Sequence, residues 1–220
     1  VVHCSMLVRR FFVPLLTLLP GPAFAAPVGE PQDFAALTIR PAGPEELDLE
    51  TGVTTLPEGG VVSYREEGVT LRGAYIRYLE GDFIEVREAV VTGAFGELSA
   101  PELRFDVAAQ TLQAESGATF EGEALAMSAD ALTLDLEADI AELSGNVSST
   151  DPELTGARAL VDLAGGAGVL VGPYAYQEGP VGLSGAAGKL LALSWDEGGS
   201  VDAETELPAA LQERFAGRLP

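Results

Sequence analysis

Side chains that carry chemistry are scarce in this chain. It holds one cysteine (Cys4), one histidine (His3), one lysine (Lys189), one tryptophan (Trp195) and two methionines. A single cysteine forms no intrachain disulfide. A single histidine supplies neither a catalytic triad nor a histidine metal site. No Gly-rich loop runs into a lysine, so the phosphate-cradling motif is absent. Basic residues are few throughout: 12 Lys and Arg face 34 Asp and Glu, a formal charge of −22. Such a surface repels nucleic acid and anionic membranes, and no nucleic-acid partner is expected.

Long apolar runs are missing too. The one candidate, Phe11 to Leu19, is broken by Pro14 and followed by Pro20 and Pro22. A spanning helix needs roughly 20 apolar residues. Arg9-Arg10 stands before this run and Ala23-Phe-Ala25 after it, which together make a cleavable secretory leader over residues 1–25, read as starting at Met6. Cys4 precedes the apolar run, so it is not a lipoprotein cysteine. Cleavage removes Arg9 and Arg10 and no acid, taking the charge from −22 to −24. The exported chain is expected in the periplasm or cell envelope, without cysteine or histidine.

What the chain does have is a repeat. Leu71-Arg-Gly-Ala-Tyr-Ile-Arg-Tyr78, Leu98-Ser-Ala-Pro-Glu-Leu-Arg-Phe105, Met127-Ser-Ala-Asp-Ala-Leu-Thr-Leu134, Leu154-Thr-Gly-Ala-Arg-Ala-Leu-Val161 and Leu183-Ser-Gly-Ala-Ala-Gly-Lys-Leu190 start 27, 29, 27 and 29 residues apart. A stable period of about 28 residues marks an array of one supersecondary unit whose neighbours bury a shared core. Leu132, Leu134 and Leu136 alternate with Thr133 and Asp135, and Leu103, Phe105 and Val107 with Arg104 and Asp106. This is strand periodicity, with one apolar and one wet face. A glycine recurs later in each unit, at Gly93, Gly117, Gly145 and Gly172, where we expect the chain to fold over a corner. Each unit then reads strand, short turn, strand, glycine corner, and the fold class is all-β.

Residues 26–60 read as a lead-in with early strands near Leu47-Asp-Leu49 and Val61-Val62, and residues 61–200 as the repeat array. Residues 201–220 form a tail in which Pro208 to Phe215 predicts a short helix ended by Gly217. The acids are spread singly at outward strand positions, as a solvated surface requires. There is no EF-hand spacing or clustered ligand set, so no metal and no cofactor are expected. Asn146-Val-Ser148 matches a glycosylation sequon, but the recurring Gly145 explains the local sequence.

Leu143-Ser-Gly-Asn-Val147 followed by Leu154-Thr-Gly-Ala-Arg-Ala-Leu-Val-Asp162, with the parallel runs ending at Asp106 and Asp135, resembles the repeat of the OstA-like (LptA and LptC) family of periplasmic lipopolysaccharide-transport proteins. The resemblance spans about residues 61–195. It implies a β-jellyroll folded like a taco, whose apolar interior shields acyl chains and whose ends pair edge to edge with other jellyrolls, self-association included. The partner would then be a lipid or a lipopolysaccharide-like amphiphile. Carried over, the lipid-groove candidates are Ile76, Tyr78, Leu103, Phe105, Leu132, Leu134, Val161 and Leu190. The acidic, nearly lysine-free surface is awkward for phosphorylated sugar head groups unless divalent cations bridge. The same inward stripe would equally fill a closed, dry core. The expected function is a non-enzymatic lipid carrier or bridge. The alternatives are a structural β-solenoid of the envelope joined through strand edges, and a carbohydrate-active β-helix enzyme using a carboxylate pair.

Overall fold

The computed structural model describes residues 32–34, 37–65, 67–122, 125–196 and 200–220. The expected leader, residues 1–25 with His3 and Cys4, lies outside the described residues. The strands are β1 Gln32–Phe34, β2 Leu37–Pro41, β3 Glu46–Leu47, β4 Thr54–Leu56, β5 Gly60–Tyr64, β6 Val69–Gly73 and β7 Tyr75–Leu79. Next come β8 Phe83–Gly93, β9 Gly96–Asp106, β10 Thr111–Ala114, β11 Ala118–Glu121, β12 Ala126–Ala129, β13 Ala131–Asp135 and β14 Ile140–Thr150. The chain ends with β15 Glu153–Asp162, β16 Ala167–Val171, β17 Tyr174–Glu178, β18 Val181–Gly185, β19 Leu190–Trp195, β20 Val201–Glu204 and one helix, α1 Ala209–Arg214. All-β was the expected class, and among the described residues α1 is the only α-helix.

All strand pairings are antiparallel. They form two walls. The front wall runs β1, β2, β5, β6, the second half of β8, the first half of β9, β11, β12, the second half of β14, the first half of β15, β17 and β18. The back wall runs β3, β4, β7, the first half of β8, the second half of β9, β10, β13, the first half of β14, the second half of β15, β16, β19 and β20. Strands β8, β9, β14 and β15 belong to both walls and bend midway, so the walls meet along one crease. This is the jellyroll folded like a taco. Strands β2 to β4, within residues 26–60, already take part in both walls.

The repeat explains the crease. The fourth residue of each motif (Ala74, Pro101, Asp130, Ala157 and Ala186) stands where the chain passes from the front wall to the back. The third residue points inward just before it, where the walls converge, and must be small. A Cβ on Gly73 would overlap Val86, one on Gly156 would overlap Leu170 and one on Gly185 would overlap the Tyr174 ring. Ala100 and Ala129, at the same position, are buried.

The return crossings follow the glycine pattern with one correction. Gly117, Gly145 and Gly172 stand at the crease. Gly145 has φ +72° and is followed by Asn146 at φ +48°, a left-handed pair that bulges β14 between Ser144 and Val147. Gly93 does not stand at the crease. It pairs with Gly96 in the β8–β9 hairpin at the far rim. The bend in β8 falls on Glu88, whose φ is +51°. A glutamate at a left-handed position carries no sequence signal, whereas the hairpin glycine imitates one.

The interior is packed from both walls. Leu71, Leu98 and Met127 from the front meet Ile76, Leu103, Phe105, Leu132 and Leu134 from the back, all in one buried cluster. Fully burying such a side chain contributes about 1.5–3 kcal/mol. A second cluster lies outside the back wall, where Ile140, Leu160 and Val169 face away from the interior and are covered by Phe215, with Leu207 and Leu211 alongside. The short tail helix, where Pro208 and Phe215 predict it, is thus fastened to the wall. Arg214 donates to Asp162 (2.9 Å) and to the Ala138 carbonyl, and Arg218 to Asp135 (2.6 Å).

Candidate functional site: the open side of the trough

Opposite the crease, the hairpin turns of the two walls form two rims. Near the amino-terminal end the rims are joined. The Gln110 side-chain amide, in the β9–β10 turn, donates to the Tyr64 hydroxyl at 2.8 Å, and the Tyr64 and Phe105 rings meet at 5.7 Å. Beneath this contact the void among Leu37, Tyr64, Leu71, Phe105 and Leu112 measures only about 10 Å³. That is room for a single water. Near the carboxy-terminal end the walls are joined again. The single Tyr176 hydroxyl proton is shared between a Glu178 carboxylate oxygen at 2.6 Å and the Val201 carbonyl at 3.1 Å across the trough. Burial first, and then the Glu178 carboxylate, raise the Tyr176 pKa above the usual phenol range.

A cleft of about 460 Å³ separates the rims elsewhere on this side. The front rim contributes Phe95, Phe120 and Leu125, and the back rim Val161, Leu163 and Trp195. Phe95 stacks on Phe120 with centroids 6.4 Å apart. Phe120, Leu125 and Val161 belong to the buried interior, while Phe95, Leu163 and Trp195 are half-buried above it. The cleft therefore opens directly on the apolar core. Its volume falls in the range of about 300–1,000 Å³ that small-molecule sites occupy.

The predicted groove residues distribute unevenly around this opening. Ile76, Tyr78, Leu103, Leu132 and Leu134 are buried in the closed part of the interior, and Phe105 lines its small void. Burial also raises the Tyr78 pKa. Val161 alone among the eight lines the cleft. Leu190 is a correction, since it packs on the outer cluster beneath the helix while Leu191 and Leu193 take the inward positions. The other units cross the crease within one bent strand (β9, β15) or with one residue between strands (Ala74, Asp130). Here residues 186–189 separate β18 from β19, and a slip of one residue turns every side chain to the opposite face.

The pattern missed Phe95, Leu163 and Trp195. They sit in or beside turns, where polar residues are the rule. A phenylalanine within Gly93-Ala-Phe-Gly96 was the available signal.

The outer face of the back wall carries a larger, shallow basin of about 850 Å³ among Tyr75, Arg77, Glu85, Arg87, Glu102 and Arg104. Each of its arginines is paired with a glutamate of the basin. Arg77 and Arg104 both hold Glu85, at 3.0 and 2.6 Å, and Arg87 approaches Glu102 at 3.8 Å. Arg158 likewise holds Glu142 at 2.7 Å. These are cross-strand ladders on a solvated face. Among the described residues no cluster of three or more acidic, histidine or cysteine side chains could hold a metal. Nor, among them, is any helix long and apolar enough to cross a membrane.

No protein-family model matches this sequence, and no curated protein matches it. Among solved structures the chain is similar to LptH, the LptA-homologous periplasmic component of the conserved lipopolysaccharide transport device from Pseudomonas aeruginosa. The similarity has a TM-score of 0.44 and 13% identity, and covers 50% of this chain and 82% of that one.

Proposed function

We propose that this protein is a non-enzymatic carrier or bridge for an amphiphile in the cell envelope, exported by its leader, with the acyl chain held between the two walls. The observation that carries the proposal is the cleft between the rims, apolar at its floor and edged by half-buried Phe95, Leu163 and Trp195. Burying a methylene contributes about 0.8 kcal/mol, so a chain of a dozen carbons gains roughly 10 kcal/mol gross. Association and ordering costs take back much of that gain, so the binding is modest and reversible, as hand-over requires. A chain longer than the cleft would run under the joined rims, toward Leu134 and Phe105, as those joints part. The resemblance of the repeat to the OstA-like family points to the same use of the interior.

Hand-over needs neighbours. Among the described residues, strands β18 and β20 end the front and back walls, each paired on one side only. Val181 on β18 is 52% exposed and the strand, Val-Gly-Leu-Ser-Gly, is uncharged. Such an edge is a template for another strand, from a second jellyroll or a second copy. Mass spectrometry of protein purified from its native envelope tests the reading. A co-purifying lipid, lost on Trp195→Asp, supports it. Protein that is folded yet lipid-free under gentle extraction overturns it.

A further inference from the structure

We infer that the amphiphile held in this cleft carries an uncharged or cationic head group and not a phosphorylated one. The inference rests on the reading of the cleft as an acyl site. Among the described residues that line the cleft, Asp196 is the ionisable one, and its carboxylate accepts the Ser200 backbone N–H at 3.2 Å. Glu121, exposed at the end of β11, adjoins the lining residue Gly122 and pairs in register with Glu97.

No described arginine lines the cleft, nor does Lys189. Arg77, Arg104 and Arg158 hold carboxylates on the outer face of the back wall, and Arg214 and Arg218 fasten the tail helix to it. A phosphate at the mouth would therefore meet no guanidinium fork, the usual partner of that group. It would also enter the field of a chain carrying −24 after leader removal. Without an acidic cluster that could hold a metal, a divalent bridge has no built site among the described residues. An ammonium head meets the opposite conditions. It would lie near Asp196 and against the half-buried rings of Trp195 and Phe95, whose faces attract cations.

Three probes with the same dodecyl tail separate the classes: dodecyltrimethylammonium, dodecyl maltoside and dodecyl phosphate, each titrated below its micelle concentration. Trp195 is the sole tryptophan, so its emission reports occupancy of the mouth. At 0.15 M salt, where exposed charges are screened beyond about 8 Å, the ammonium and maltoside probes should bind at least tenfold more tightly than the phosphate. Asp196→Asn should weaken the ammonium probe severalfold and leave the maltoside unchanged. Added calcium should leave the phosphate affinity where it was. Phosphate binding as tight as maltoside, with or without calcium, overturns the inference while leaving the acyl site standing. Equal loss of both probes in Asp196→Asn removes the carboxylate from recognition and counts against the charge argument. If no probe shifts Trp195 emission, the acyl site itself fails.

Discussion

The Gln110 amide reaches across the open side of the trough to the Tyr64 hydroxyl, 2.8 Å away, joining the back rim to the front wall. Tyr176 makes the matching connection to Val201 near the other end. These contacts keep the ends of the trough shut. Tyr64→Phe keeps the ring against Phe105 and removes the acceptor of the Gln110 amide. It should lower stability by about 1 kcal/mol in urea titrations and speed amide exchange in the β9–β10 turn. Unchanged exchange there would show that the contact does not hold the rims.

Packing at the crease predicts a sharper effect from a smaller change. Gly73→Ala adds one methyl into Val86 and the Arg87 carbonyl, inside the convergence of the walls. Overpacking of this kind costs about 1–3 kcal/mol, a fall in Tm of several degrees, since roughly 2–4 °C accompanies each kcal/mol in a chain of this size. A Tm within a degree of the parent would mean that the crease has room.

The tail helix should behave as a fastened strap. Phe215 is fully buried outside the back wall, so Phe215→Ala should cost about 3–5 kcal/mol. Proteolysis should then remove the tail before the strands. Arg214→Ala, which breaks the Asp162 pair and the contact to the Ala138 carbonyl, should loosen the same segment with a smaller loss.

Alkaline stability follows from Tyr176. A phenol ordinarily titrates near 10, and burial together with Glu178 raises this one in the folded chain. Below pH 10 the group is protonated in both states and its contribution is fully present. Above pH 10 the unfolded chain ionises it and the folded chain resists, so stability falls as pH rises through that range. The urea midpoint should hold to about pH 9 and drop beyond pH 10. The drop should be shallower in Tyr176→Phe, leaving a remainder from Tyr78, which burial raises as well.

The walls were legible because period-two alternation survives in every unit, and the small third residue of the motif marks the crease. Where the structure departs, the backbone has done something that side-chain pattern does not record. Glu88 bends β8 in a left-handed conformation that glycine would advertise. Four residues before β19 shift its phase and turn Leu190 outward. The interior stripe from Ile76 to Leu134 reads the same for a filled core as for a groove. What distinguishes the two is the rims, where Phe95 lies in a turn and Trp195 beside one, off the repeat. Phe95 and Trp195 share a cleft because hairpins of different length bring them there, a relation with no periodicity to find.

The most direct test of the central claim is photocrosslinking in cells, with a benzophenone side chain placed at Trp195 and, as control, at Tyr75 on the outer face of the back wall. A lipid-mass adduct is expected from position 195 and none from position 75. Folded protein with no adduct at 195, or with equal adducts at both positions, would contradict that claim.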